Sequence, residues 1–194
     1  MKQTLEVSDL LNIIEYEKQR DVYRKDIIEY KKNRRFKLGP NILITFENSK
    51  TMKFQIQEMM RAERMVHDNQ IEEELIVYNP MIPQGNELSA TLFIEITDPE
   101  NIRPVLDGFI GLTKGTAVFI DIDGDRVFAD FEFGREKDDN ISSVHYIRFP
   151  FSGEQKKNFT KESSPGSINI EYNDYKYSIN LTVDNKESLV NDFS

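Results

Sequence analysis

The hydrophobic periodicity of this 194-residue chain is mainly helical in its N-terminal part and mainly strand-like after it, and this division constrains the fold more than any other feature. From about residue 8 to residue 80, outside a strand-like segment at 36–46, apolar residues recur every three or four positions, as is typical of amphipathic helices. From about 88 to 183 they alternate in short runs between turn residues, as is typical of hairpins. The sequence therefore predicts one α+β domain over 1–183, with N-terminal helices packed on a mainly antiparallel sheet, and a polar C-terminal tail at 184–194.

The element boundaries follow from caps, prolines and turn residues. A helix of about three turns is predicted after a cap at Ser8 and Asp9, and further helices at 21–34, 51–68, 71–78 and from Asp98-Pro99 to about Gly111. Strands are predicted at 36–38, 41–46, 88–97, 117–122, 126–133, 144–151, 167–172 and 175–182, with a surface loop at 156–166. The tail is expected either to fray or to dock through Leu189, Val190 and Phe193.

The composition excludes several chemistries. Cysteine is absent, so disulfides, thiolate catalysis and Cys-held zinc or iron–sulfur clusters are excluded. The two histidines, His67 and His145, stand far apart and lack the spacing of a known metal motif. No stretch approaches the ~20 apolar residues that cross a bilayer, and the N-terminus lacks the apolar run of a secretory signal. We expect a cytoplasmic protein with no metal or cofactor of its own.

The net charge of −9 is unevenly distributed. Residues 1–64 carry 14 Lys or Arg against 10 Asp or Glu, whereas residues 65–194 carry 11 against 24. An acidic chain is a poor general nucleic-acid binder. RNA binding through the basic run Lys31–Lys37, with Tyr23, Tyr30 and Phe36 as stacking groups, is therefore the least favoured functional hypothesis.

Two charged residues fall on predicted apolar stripes. Arg34 follows the stripe of the second helix, and Glu63 falls within that of the third, between Met59 and Val66. Because a lone buried charge costs several kcal/mol, we expect an Arg34–Glu63 ion pair between the helices, with Arg35 as the alternative donor.

The opposite face of the third helix carries Gln57, Arg61 and Arg64, with Glu58 beside Arg61. Arginine side chains suit carboxylate or phosphate, so this face could receive an anionic ligand or an acidic partner. The alternative is a solvated face whose charges pair with one another. Arg148, on a strand, extends the positive face if the sheet lies near Arg61.

Two other groups have simpler structural interpretations. Three carboxylates at 121, 123 and 125 surround Gly124, but the spacing does not match a calcium loop, and a hairpin turn explains them better. His145 shares a strand face with Ile147, Phe149 and Phe151, which favours a packed, hydrogen-bonded histidine over a catalytic one.

Several sequence blocks resemble a bacterial family catalogued as domain of unknown function 3501. The blocks are KKNRR at 31–35, LGP at 38–40, FE at 46–47, QIQEMMRAER at 55–64, EL at 74–75, YNP at 78–80, IP at 82–83, Gly85, ATLFIE at 90–95 and SVHYIRF at 143–149. Tyr78 and Asn79 lie within them and are kept as candidate site residues. The resemblance implies no catalytic residues, but family members look like gene neighbours of rubrerythrin-like and iron–sulfur oxidoreductase proteins.

Three functional hypotheses follow. The first is a non-catalytic accessory protein of a redox or oxidative-stress system, which binds an acidic partner or anionic ligand through Arg35, Gln57, Arg61 and Arg64. The second is an enzyme on a phosphate- or carboxylate-bearing small molecule, with Glu58 or Glu63 as proton carrier, which requires a concave pocket and a raised carboxyl pKa. The third is RNA binding. A homodimer through the hairpin edges is permitted but not required.

Overall fold

The structure is a computed structural model that describes residues 4–132, 134, 136–137 and 139–193. The α-helices are α1 (Ile13–Lys32), α2 (Ser49–Glu63), α3 (Asp68–Tyr78), α4 (Ile102–Asp107), α5 (Gly153–Phe159) and α6 (Val183–Val190). The strands are β1 (Arg35–Leu38), β2 (Ile42–Glu47), β3 (Glu87–Ile94), β4 (Val118–Ile122), β5 (Asp125–Phe128), β6 (Asp130–Phe131), β7 (Glu136–Lys137), β8 (Asn140–Ile141), β9 (Val144–Pro150), β10 (Gly166–Tyr172) and β11 (Tyr175–Asn180). Phe133, the end of the predicted strand 126–133, lies outside the described residues, as do residues 1–3 and Ser194.

α1 is one helix where the sequence predicted two. Its cap is Asn12, whose side chain accepts the backbone N–H of Glu15 at 3.0 Å. The predicted cap at Ser8 and Asp9 belongs instead to a 3-10 turn, Val7–Asp9. Because no Gly or Pro stands between residues 13 and 32, nothing interrupts the helix near residue 21, where the second helix was predicted to begin.

Two antiparallel sheets, rather than the one that was predicted, enclose the main core, and the predicted α+β class is confirmed. The first has the order β1-β2-β3-β9-β6 and the second the order β11-β10-β4-β5. The core includes Phe46 and Phe149 from the first sheet and Ile120 and Ile168 from the second. β1 and β2 form the predicted hairpin, whose turn has Gly39 at φ +72°. The Asp123-Gly124 hairpin is also confirmed, and there Asp121 Oδ1 accepts the N–H of Gly124 at 2.8 Å.

The N-terminal helices form a second apolar cluster of their own. Met52, Ile56 and Met60 of α2 pack with Ile71 and Leu75 of α3. Asn48 caps the start of α2 and its side chain accepts two backbone N–H groups, while Arg64 caps the end of α2 in the left-handed conformation. The N-terminus of α2 directly follows β2, so α2 starts beside the first sheet. Part of the outer face of that sheet stays uncovered.

The C-terminal residues are docked, which is one of the two arrangements expected for them. Residues 183–190 form α6, Leu189 is fully buried and Phe193 packs against Phe151 and Phe159. The apolar residues of this segment share a helical face, and Thr182 caps it through the N–H of Asn185. The predicted loop at 156–166 is partly wrong, because residues 153–159 form α5 behind a Ser152 cap.

Across the described ranges, no helix combines the length and the apolar character that crossing a bilayer requires.

Candidate functional site

Arg34 is fully buried, as its place on an apolar stripe predicted, but the predicted partner is wrong. Its guanidinium pairs with Asp192, also buried, and Nε donates to the carbonyl oxygen of Phe46 at 3.1 Å. Glu63 is exposed in the last turn of α2. Glu63 is exposed because the apolar stripe of α2 differs from the predicted one. The helix buries Met52, Ile56 and Met60, whereas Val66 lies beyond the helix and is 67% exposed.

The Arg34–Asp192 pair belongs to a closed internal network. Asp192 Oδ1 also accepts from Asn48 Nδ2 at 2.7 Å, and Arg34 donates to the carbonyl oxygen of Ser188 at 2.8 Å. Burial raises the pKa of Asp192, while the charge and hydrogen bonds of Arg34 oppose that shift. The network holds the C-terminal residues on the first sheet and is closed to a ligand.

Gln57 fixes the N-terminal segment to α2. Its side chain is 1% exposed, its Oε1 accepts the N–H of Leu11 at 2.6 Å, and its Nε2 donates to the carbonyl oxygen of Leu11 at 2.9 Å. Asn79 does the same for Leu5, through bonds of 2.8 and 2.9 Å. Both amides thus pair with backbone groups that would otherwise lack partners.

Of the charges beside Gln57, Glu58 and Arg61 each pair with side chains of α1. Glu58 accepts two bonds of 2.8 Å from Arg20 and one of 2.6 Å from the hydroxyl of Tyr16. These hydrogen bonds, Arg20 first, lower the pKa of Glu58, so it lacks the raised pKa that a proton carrier needs. Arg61 donates to Glu17 Oε2 at 2.8 Å, and Arg64 is the exposed residue that ends α2.

Tyr78 and Arg148 each have contacts of their own away from the charges of α2. Tyr78 is half-buried against that cluster, and burial raises its pKa. Arg148 donates to Glu87 Oε1 at 3.0 Å and to the carbonyl oxygen of Pro80. Within the described residues Arg148 makes no ion pair or hydrogen bond with α2, so it does not join Arg61.

A groove of about 330 Å³ lies on the outer face of the first sheet. Strand register places four of its side chains in one row across the sheet, because each is the pairing partner of the next: Arg35, Thr45, Thr91 and Tyr146. The end of α1 and the first half of α2 border this row. The remaining lining residues are Lys31, Glu47, Gln55, Phe93 and Val144.

Glu47 is the buried charge of this groove. It is 3% exposed, and its Oε1 accepts a hydrogen bond of 3.4 Å from Thr91 Oγ1. Its Oε2 has no hydrogen-bond partner in the described part of the chain, although Lys31 Nζ lies 3.7 Å away. Burial raises the pKa of Glu47, and the charge of Lys31 is the largest opposing influence.

Other polar groups of the groove also lack intramolecular partners. Over the described ranges, the side chains of Arg35, Thr45 and Gln55 make no hydrogen bond or ion pair. Arg35 is exposed, whereas Thr45 is 4% exposed and faces the groove. Of the predicted site residues, the structure therefore brings Arg35 alone into this groove, and it adds groups that sequence reasoning missed: Lys31, Thr45, Glu47, Gln55, Thr91, Phe93, Val144 and Tyr146.

A signal for these missed residues was present in the sequence. All the lining residues except Thr45 lie within the blocks that carry the family resemblance. On the predicted strands, polar Thr45 and Thr91 alternate with apolar residues, which places them on the face away from the core. The proximity of Lys31 required the end of α1, which the sequence placed two residues too late.

The remaining candidates have structural roles or no site. His145 is buried on the inner face of β9, where Nε2 lies 2.7 Å from the carbonyl oxygen of Ser142 and the ring packs on Phe131. Among the described residues, no group of three or more His, Cys, Asp or Glu could hold a metal ion.

Comparison with known proteins gives a family and a fold. Residues 4–193 match the family described as "Protein of unknown function (DUF3501)". The chain is similar to a crystal structure of a novel protein of unknown function from Burkholderia pseudomallei K96243, with 30% sequence identity and a TM-score of 0.90. That similarity covers 98% of this chain and 100% of the other. No curated protein matches the chain.

Proposed function

Because the chain belongs to the DUF3501 family, whose description names no activity, we propose its function from the groove. The protein binds a small organic anion in this groove, on the outer face of the first sheet. The anion is a carboxylate or a phosphate. Its charged group lies between Lys31 and Arg35, and the hydroxyl of Thr45 donates a further hydrogen bond to it. This site replaces the α2 arginine face as the seat of anion recognition.

The observation that carries the proposal is the set of unpaired polar groups around one concave surface. Buried polar groups in folded proteins are nearly always hydrogen-bonded, and each exception calls for an explanation. Within the described residues, Glu47 Oε2 is such a buried atom, and the exposed guanidinium of Arg35 and the hydroxyl of Thr45 line the same groove without an intramolecular partner. Arg61 and Arg20, by contrast, already pair with carboxylates. A bound anion gives Arg35 and Thr45 an acceptor, but it offers no donor to the oxygen of Glu47, which is itself an acceptor.

The groove also favours an apolar part in the ligand. Phe93 and Val144 are pairing partners on β3 and β9 and lie in the row beside Thr91 and Tyr146. Both are half-buried, so an apolar body placed over them removes further surface from water. We therefore expect benzoate to bind more tightly than acetate.

Isothermal titration with benzoate, acetate and inorganic phosphate tests the proposal. We expect benzoate to bind with a Kd of about 1 mM or tighter, and Arg35→Gln to weaken it about tenfold, since a hydrogen bond to a charged group contributes about 1.5–3 kcal/mol. Arg103→Gln is the matched control, because Arg103 is an exposed arginine on α4 and does not line the groove. Equal affinities in the two variants, or no binding of any of these anions, would contradict the proposal.

An acid–base enzyme that uses the same groove is the second candidate. The observation that favours it is Glu47, a carboxyl with a raised pKa in a concave surface, which are the two features that the enzyme hypothesis required. Glu47 thereby replaces Glu58 and Glu63 as the proton carrier. Hydrolysis of p-nitrophenyl phosphate and p-nitrophenyl acetate tests this candidate. Turnover that Glu47→Gln abolishes supports it, and equal rates in both proteins contradict it.

The accessory role beside a rubrerythrin-like or iron–sulfur protein stays a prediction from the family resemblance, and a cytoplasmic location stays a prediction from the apolar patterning of the sequence. It is compatible with the groove, since the anion could be a small molecule that such a system makes or consumes. Co-purification of the two proteins in the presence and absence of benzoate tests it.

A further inference from the structure

We infer that binding in the groove is coupled to protonation: Glu47 takes up one proton as the anion enters, and its carboxyl group then donates a hydrogen bond to the anion. The inference rests on the proposed function and names the chemistry by which that site would hold its ligand. In balance, Glu47–COO⁻, H⁺ and the anion A⁻ give Glu47–COOH···A⁻, with the proton drawn from solvent.

The geometry singles out one oxygen atom for this role. Glu47 Oε1 is engaged by Thr91 at 3.4 Å, whereas Oε2 has no hydrogen-bond partner in the described part of the chain. The side chain lines the groove while being 3% exposed, so little bulk water reaches it. An acceptor atom in this position lacks a donor, but a protonated carboxyl there acts as a donor itself.

The charges around Glu47 determine when that proton is held. α1 contributes Lys31 at 3.7 Å, and the turn and strand that follow contribute Arg34 and Arg35. Arg34 is paired with Asp192, so it offsets little of the charge of Glu47. From α2 and β3 come the neutral Thr51, Gln55 and Thr91, and from β9 the hydroxyl of Tyr146. Lys31 is therefore the main cation that stabilises the ionised form in the free protein.

An entering anion changes this balance in one direction. It competes for Lys31 and brings a second negative charge next to a buried carboxylate, and like charges in one site strongly raise the pKa of one of them. Burial already raises the pKa of Glu47 before the anion arrives. A proton held between Glu47 Oε2 and an oxygen of the anion removes one of the two negative charges and forms the missing hydrogen bond.

Isothermal titration with benzoate in two cationic buffers of different ionisation enthalpy, such as Tris and imidazole, measures the proton uptake directly. Benzoate stays ionised across neutral pH, so any proton taken up belongs to the protein. We expect an uptake approaching one proton and an affinity that falls by up to tenfold for each unit of rising pH. Glu47→Gln, which keeps a donor at this place, should bind benzoate without proton uptake or pH dependence. Glu95→Gln, which lies outside the groove and pairs with Lys37, should behave as the wild type.

The outcomes separate this inference from the proposed function. Binding without proton uptake in the wild-type protein overturns the inference alone. Absence of binding overturns the proposed function and the inference with it. If Glu47→Gln does not fold, the infrared difference spectrum of the wild-type protein on adding benzoate decides. The carbonyl stretch of a newly protonated carboxylic acid supports the inference, and its absence overturns it.

Discussion

Arg34 and Asp192 form a fully buried ion pair between residues that are 158 positions apart, and this pair joins the start of the first sheet to the last residues of the chain. Arg34 stands between α1 and β1, and Asp192 follows α6. Asn48, the cap of α2, also bonds to Asp192 at 2.7 Å. Three parts of the fold therefore meet at one carboxylate.

Arg34→Met should destabilise the protein by about 3–5 kcal/mol, because it leaves the buried Asp192 without its cation. Urea unfolding followed by circular dichroism measures the change. The double variant Arg34→Met with Asp192→Leu should recover much of the loss, since it removes both buried charges. Arg103→Met, which breaks an exposed pair with Asp107, should cost less than about 1 kcal/mol. A loss of similar size in Arg34→Met and Arg103→Met would contradict this role.

The sequence predicted the burial of Arg34 but not its partner, for a physical reason. Helical periodicity reports which side of a helix faces the core, and that held for Arg34. Periodicity does not report which distant segment covers the core-facing side of the helix. Asp192 belongs to such a distant segment, and few apolar residues in that segment mark the face that docks. The groove follows the same rule. Alternation marks the sheet face of Thr45 and Thr91, a signal that the sequence predictions did not use, and the alignment of these residues with Arg35 and Tyr146 depends on strand register across four strands.

Gln57→Met should release the N-terminal segment from α2. The amide makes both bonds to the backbone of Leu11, so its loss leaves two backbone groups without partners and costs about 1–3 kcal/mol. Hydrogen exchange should show faster exchange of the Leu11 amide. Gln70→Met is the control, because Gln70 is exposed on α3. Unchanged exchange at Leu11 in the Gln57 variant would show that other contacts hold this segment.

Gly39→Ala should destabilise the β1–β2 hairpin for two reasons, the left-handed backbone conformation at this turn and a steric clash of the added Cβ atom. Gly39 has φ +72°, and a Cβ atom there would lie 2.5 Å from the ring of Tyr177. Gly85→Ala provides the matched control, because Gly85 has φ +59° and no atom of the described residues lies within 4 Å of the added Cβ. We expect a loss of about 1 kcal/mol in the Gly85 variant from backbone strain, and a clearly larger loss in the Gly39 variant. Equal melting temperatures would mean that Tyr177 moves aside without cost.

The raised pKa of Glu47 makes the stability of the ligand-free protein depend on pH. Burial raises its folded pKa above the value of about 4.3 in the unfolded chain, so between these values the folded state holds a proton that the unfolded state has lost. This contribution is fully present below the unfolded pKa and is lost as pH rises through the folded pKa. Its size is about 1.4 kcal/mol for each unit of difference between the two pKa values.

Glu47→Gln isolates that contribution, because glutamine is neutral at every pH. The free energy of unfolding of the wild-type protein, measured by urea titration, should approach that of the variant at low pH and fall below it as pH rises. Glu95→Gln changes a half-buried carboxyl just after β3, paired with Lys37, and should show a much smaller pH-dependent difference. A wild-type protein that gains stability over the variant with rising pH would mean that Lys31 outweighs burial, so that the folded pKa of Glu47 lies below its value in the unfolded chain.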